Sequence, residues 1–238
     1  MNKNRRSIFC LATLLCLLST LGAAEIKPLG GIDLSRLTSE TQVHKTGTDY
    51  GMRLAWWIPV EFWQATLSKN KQVSAESISE IVTTLSPYFM IAVVESDISP
   101  FGAMDFYPRD VILKNMLVDY TDGNGKKRTL RRVEKLDKDV ELLQSQITPI
   151  LSAAMGNMGK NIYFITYADR DRKNRRIISP YKPGKVHITL TNKKGEQPTT
   201  FLIETPLDSL FIPRTCANGK PAHVSWKYCP WDGSQLPE

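Results

Sequence analysis

The first two dozen residues set the conditions under which this chain can fold. Lys3, Arg5 and Arg6 open it, Ile8 to Leu21 is almost wholly apolar, and Gly22, Ala23 and Ala24 are small residues just before Glu25. Those are the three parts of a secretory signal peptide. The apolar run is short for a membrane span and ends at a small-residue cleavage site, so the mature chain is expected to begin at Glu25. Neither Cys10 nor Cys16 follows the small residue that a lipoprotein processing site would want, so lipid attachment is not expected. The fold then has to form on the oxidising side of a membrane, periplasmic or secreted, from about 214 residues.

Setting aside the three leader cations lowers the net charge from +7 to +4. That mild excess is not the footprint of a nucleic-acid binder. A hydrophobic content of 42% suits an ordinary globular chain with one substantial core, or a core plus a small appendage, and no second apolar run approaches the length of a membrane span. Of the four cysteines, only Cys216 and Cys229 lie beyond the leader. An even pair in an exported chain most simply forms one disulfide, closing a loop of about a dozen residues and contributing roughly 2–4 kcal/mol.

From Glu25 to Tyr50 the chain is polar, broken by Pro28, Gly30, Gly31 and Gly47, and reads as an extended arm. Met52 to Leu67 crowds Trp56, Trp57, Ile58, Val60, Phe62 and Trp63 together, and its spacing predicts a helix apolar on two faces with Pro59 in its first turn. Ser74 to Leu85 reads as a second helix, with Ser77 and Glu80 as a capping pair and Pro87 as its stop. Phe89 to Val94 reads as a buried strand, Met104 to Tyr107 as an edge strand, and Val111 to Tyr120 as a continuation of the sheet. Thr121 to Gly125 is the strongest turn signal, joining Met116–Tyr120 to Lys127–Val133 as a hairpin. A long helix opens at Asp137 or Lys138, is kinked by Pro149 and ends near Gly156. Asn161 to Tyr167 reads as a strand, and Lys185–Thr191 pairs with Thr199–Thr205. The expected class is α+β: a mostly antiparallel sheet with hairpins, backed by a long kinked helix and shorter helices. The expected organisation is signal peptide 1–24, arm 25–50, α+β domain 51–210 and a small Cys-containing knuckle 211–238.

The sharpest local pattern is C-terminal. Tyr228, Cys229, Pro230, Trp231, Asp232, Gly233, Ser234, Gln235 and Leu236 resemble the second knuckle of a degenerate bacterial zinc ribbon, in which a Cys-Pro pair is followed by Asp or Cys, then Gly and Leu. The resemblance covers little more than the last two dozen residues. Such ribbons carry two cysteines in the first knuckle, whereas Cys216 stands alone here with Gly219 at its partner's place. The resemblance implies a zinc alternative to the disulfide, with Cys216, His223, Cys229 and Asp232 as ligands.

Two basic clusters stand out: Lys126, Lys127, Arg128, Arg131 and Arg132 on one hairpin, and Arg170, Arg172, Lys173, Arg175 and Arg176 in a loop interleaved with Asp169 and Asp171. They are solvated turns or a docking surface for phospholipid headgroups, lipid-linked sugars or an acidic protein face. Trp56, Trp57 and Trp63 are core packing, a sugar-stacking platform or a contact for a partner helix. His44, His187 and His223 fit no catalytic motif, and nucleophile elbow, phosphate loop and dinucleotide fingerprint are all missing from the sequence. The carboxylates Glu95, Asp97, Asp105 and Asp110 around residues 96–110 offer the alternative of a hydrolase or ligand site. The expected function is a non-enzymatic interaction or assembly module of a cell-envelope or secretion complex. Its partners would be envelope proteins, with membrane-surface contact possible in principle, without nucleic acid and without a cofactor. Intact mass of the exported protein is expected to start at Glu25, with both remaining sulfurs protected from alkylation until reductant is added. Thiols released only by a chelator, with stoichiometric zinc, would instead establish the ribbon alternative.

Overall fold

The computed structural model describes residues 24–46, 51–191 and 197–236. The expected leader up to residue 23, and residues 47–50 of the expected arm, lie outside the described residues.

The segment expected as an extended arm is built into the fold. Asp33 caps α1 (Leu34–Thr41), its carboxylate accepting from the N–H groups of Ser35 and Arg36. Ile32 and Leu37 are fully buried, which is enough to dock so short a helix. The chain passes directly into β1 (Gln42–Thr46). The helix expected over Met52–Leu67 divides at Pro59. A residue before proline is pushed out of the α region, so β2 (Met52–Ile58) is extended and α2 (Val60–Ser68) begins only after the ring. Ser74 caps α3 (Ala75–Leu85) by accepting from Ser77 N–H, in place of the expected Ser77–Glu80 pair.

β3 (Tyr88–Ile98) extends beyond the expected strand and is followed by the short β4 (Met104–Phe106). Pro108 makes the same division as Pro59: the strand expected from Val111 starts as a helix, α4 (Arg109–Asn115), and only then becomes β5 (Met116–Asp122). A tight turn leads to β6 (Lys127–Thr129), with Gly125 at φ +79°, a conformation that suits glycine. α5 (Lys138–Met155) runs through Pro149 and is followed by α6 (Asn157–Lys160) and β7 (Tyr163–Ala168). β8 (Gly184–Leu190) and β9 (Thr199–Thr205) pair in register as expected, and β10 (Arg214–Thr215) and β11 (Pro221–Ala222) form a small C-terminal hairpin.

These elements make an α+β fold with antiparallel sheets. One sheet runs β1-β2-β3 with β7 and β4 also paired to β3, and a second runs β6-β5-β8-β9. Strand alternation sends Ala55, Trp57, Phe89, Ile91, Val93 and Ile165 toward the second sheet, where Val118, Val186, Ile188, Phe201 and Ile203 meet them. The opposite face carries Leu54, Trp56, Ile58, Met90, Ala92, Val94 and Phe164 against Leu85 of α3 and Val140, Leu143 and Ile147 of α5. The result is three layers: helices, first sheet, second sheet.

The C-terminal segment has its own small core of Cys216, Ala222, Cys229 and Leu236, with the two cysteines disulfide-bonded at a Cα separation of 5.7 Å. Among the described residues no helix is long and apolar enough to cross a membrane. Trp57 is 1% exposed and packs 5.3 Å from the Phe89 ring. Trp57→Ala is expected to lower the unfolding free energy by about 3–5 kcal/mol in urea melts, and the half-buried Trp63→Ala by markedly less.

Candidate functional site

Two loops on the same edge of the sandwich bring the candidate cations together. The first is the β5–β6 turn, in which the Asp122 carboxylate accepts from Asn124 and Lys126 N–H at 3.0 Å each and Gly125 N–H bonds the Asp122 carbonyl. Register then sorts the basic residues on the hairpin. Lys127 stands opposite Thr121 and reaches Asp119 at 3.0 Å on the outer face of the sheet. Arg128 stands opposite Tyr120, hence on the inner face, half-buried.

The second is the loop after β7, organised by two aspartates. Asp169 is 1% exposed; its Oδ1 accepts from Ile177 and Ile178 N–H, and its Oδ2 faces Arg176 Nε at 3.2 Å. The Arg176 guanidinium also grips buried Glu61 of α2 through two nitrogens, at 2.6 and 3.2 Å. Two carboxylates thus share one guanidinium, which ties the loop to the helical layer. Asp171 accepts from Lys173 and Arg175 N–H, and its other oxygen takes Arg175 Nε and Nη2 at 3.0 and 2.7 Å.

Between these loops lies a cleft of about 800 Å³ with Tyr120 at its base and Arg128, Arg175, Arg176 and Lys182 around it. Gly184 lets the backbone approach that base: a methyl group there would come within 2.5–2.8 Å of the Tyr120 phenol. Arg175 and Arg176 are clamped by carboxylates, whereas among the described residues no carboxylate pairs with Arg128 or Lys182. The cleft therefore offers two uncompensated cations beside two that are rigidly aimed, an arrangement suited to holding an anionic group.

Titration in the loop is set by these contacts. Burial pushes the Asp169 carboxyl up to about 6, against the pull of Ile178 N–H and Arg176. The Arg175 side chain and N–H hold Asp171 down at about 2. Arg176 is raised; burial opposes its charge, but Glu61 and Asp169 outweigh that.

The other candidates are placed differently. Arg170 bonds Ser86 at 2.9 Å, Arg132 bonds the Leu113 carbonyl and Glu134, and Arg172 and Lys173 are exposed. Trp56 and Trp57 are buried on opposite faces of β2, so neither presents the partner contact considered from sequence. Around 96–110, Glu95 and Asp97 share Arg53 at 3.3 and 3.4 Å and Asp97 accepts from Tyr107, while Asp105 and Asp110 are exposed. A buried ion pair of this kind ties β2 to β3. In the C-terminal segment His223 Nδ1 contacts Ser225 Oγ, and Asp232 accepts from Ser234. Among the described residues no group of three or more His, Cys, Asp or Glu side chains gathers at metal-holding distance.

Glu61 and Lys182 are the site residues that sequence reasoning passed over. Glu61 sits in an aromatic-rich helix and Lys182 in a Pro-Gly loop, and neither setting carries a signal. Comparison with protein-family models, with characterised proteins and with solved structures returns no match.

Because Asp169 has an ordinary value of about 3.9 when unfolded, it binds its proton more tightly in the folded state. Its contribution to stability is therefore full below about pH 4 and is lost as pH rises through about 6. Denaturant midpoints measured from pH 4 to 7 are expected to show that slope in the native chain and a flatter one in Asp169→Asn.

Proposed function

We propose that this chain is an exported, non-enzymatic interaction module of the cell envelope, periplasmic where an outer membrane exists, which docks an acidic segment of a partner protein in the cleft between the β5–β6 turn and the loop after β7. The observation that carries the reading is convergence. Cations from segments about fifty residues apart meet around one recess, and two of them have no carboxylate among the described residues. The tripartite leader and the disulfide support export, since paired cysteines belong to oxidising compartments.

A binding role is favoured over catalysis by how the acidic groups near the cleft are used. Asp169 and Asp171 spend their oxygens on backbone N–H groups and guanidinium, the work of holding a loop in shape. A cleft whose charges are fixed this way recognises without reorganising, so association gains in speed and selectivity.

The test uses a polyglutamate peptide and anionic phospholipid vesicles as separate probes. The peptide is expected to bind at low salt and to weaken as salt screens the cleft. Arg128→Glu with Lys182→Glu should weaken it by roughly tenfold or more, whereas Lys127→Glu on the outer face should leave it unchanged. Vesicle binding without peptide binding would move the partner from a protein to a lipid surface, and binding of neither would sink the reading. Fractionation of the source cells checks export separately.

A further inference from the structure

The β3–β4 hairpin runs on past the sheet in which it starts. β2 pairs with β3 as far as Glu95 and β7 as far as Val93, whereas β4 accompanies it through the pairs Ser96–Phe106, Asp97–Asp105 and Ile98–Met104. The end of the hairpin is therefore a two-stranded ribbon. From Ile98 to Met104 it carries no charged residue. Phe101 is 98% exposed, and Ile98, Pro100 and Met104 of the same tip are exposed as well. A single apolar side chain on a surface is ordinary, but an uncharged run of this length ending on a phenylalanine that touches almost nothing is a patch that calls for a cover.

The tip holds its own main-chain donors. Ser99 N–H donates to the Ala103 carbonyl at 2.8 Å, Gly102 N–H to the Ser99 carbonyl at 2.9 Å, and Ala103 N–H to Ser99 Oγ at 3.1 Å. Pro100 has no N–H to satisfy, and Gly102 at φ +80° takes the left-handed position that closes the loop. Within residues 99–103, the Phe101 N–H alone has no partner among the described residues. A loop that spends its donors internally offers a protein partner little to hydrogen-bond, and it gives up little on leaving bulk water. The groups that remain find water in a headgroup layer. These properties select a lipid surface as the cover rather than a protein pocket.

We propose that the Ile98–Met104 tip is a peripheral membrane anchor, which seats Phe101 at the boundary between headgroups and acyl chains of a bilayer on the export side. The charges behind the tip fix how far it goes and what attracts it. Asp97 and Asp105 are the next cross-strand pair back from Ile98 and Met104; Asp97 is held by Arg53 at 3.4 Å and by the Tyr107 hydroxyl at 2.7 Å, and Asp105 is exposed. Carboxylates do not follow the tip into hydrocarbon, so entry stops at the depth of an interfacial element, roughly 5–10 Å. They also give the tip no attraction to anionic headgroups, so the contact is apolar and indifferent to salt. The tip is built from other elements than the cation cleft, and its role stands without that cleft.

The test floats the exported chain, free of residues 1–24, with vesicles of phosphatidylcholine alone. The chain is expected to rise with the vesicles at low and high salt alike. An environment-sensitive nitrobenzoxadiazole dye on Ala103→Cys, with the native disulfide intact, should shift its emission to the blue and be quenched by brominated acyl chains. Phe101→Asp changes a side chain almost free of contacts, so the urea midpoint should hold while the lipid concentration for half-binding rises at least about tenfold. Leu202→Asp, on the outer face of β9, should leave binding unchanged. No flotation at millimolar lipid, an unshifted dye, or flotation undiminished by Phe101→Asp would overturn the proposal. Binding confined to anionic vesicles and abolished by Arg128→Glu with Lys182→Glu would overturn it in favour of the cleft. Dimers in sedimentation that Phe101→Asp dissolves, without flotation, would overturn it in favour of a second copy of this chain.

Discussion

β3 is the strand that cannot be left exposed on either side. From Phe89 to Ser96 every residue is buried, so both of its faces need a cover. An ordinary antiparallel sheet solves half of that problem by turning one face to water. Here the second sheet covers one face and α3 with α5 covers the other, and the remaining elements follow from that demand. β2 and β7 flank β3 with the same double burial, which is why Trp56 and Trp57, adjacent in sequence, lie in different cores. Only the second sheet keeps an outer face, and there the alternation along β8 and β9 is the clearest in the chain.

That distinction decides what could be read from the amino-acid sequence. The β5–β6 turn, the pairing of β8 with β9, the α3 helix and the long α5 carry a period or turn signal that matches the structure, although Ser74 rather than the expected Ser77–Glu80 pair caps α3. β2 does not, since a strand apolar on both faces has no alternation to recognise, and its aromatic residues fall equally well on a helical wheel. The local signal that would have divided it is Pro59, and Pro108 plays the same part before α4. α1 was hidden for the opposite reason: two buried side chains in a polar stretch are too few to make a pattern.

The basic clusters were legible as composition, but their division was not. Whether Lys127 or Arg128 reaches the cleft depends on register across the hairpin, and a shift of one residue would exchange them. The groups that hold the cleft in shape left still less trace. Glu61, Asp169 and Arg176 come from a helix, a strand end and a loop, and their shared buried charge exists only once those three meet. Removing Arg176 would leave two buried carboxylates without their cation, so this cluster links the integrity of the helical layer to the aim of Arg176.

The contacts of the first described residues impose an order of events. Lys27 N–H bonds the Leu210 carbonyl, Ile212 N–H bonds the Glu25 carbonyl, and Glu40 of α1 accepts from Ser209 N–H and hydroxyl across 169 positions of sequence. A chain made and threaded from its N-terminus therefore delivers α1 early and its anchor almost last. Until residues 207–212 arrive, α1 has β2 and α2 against it but lacks the Ser209 bonds to Glu40. The corner where residues 25–27 and 40 meet residues 209–212 is thus completed only when nearly the whole chain has been made.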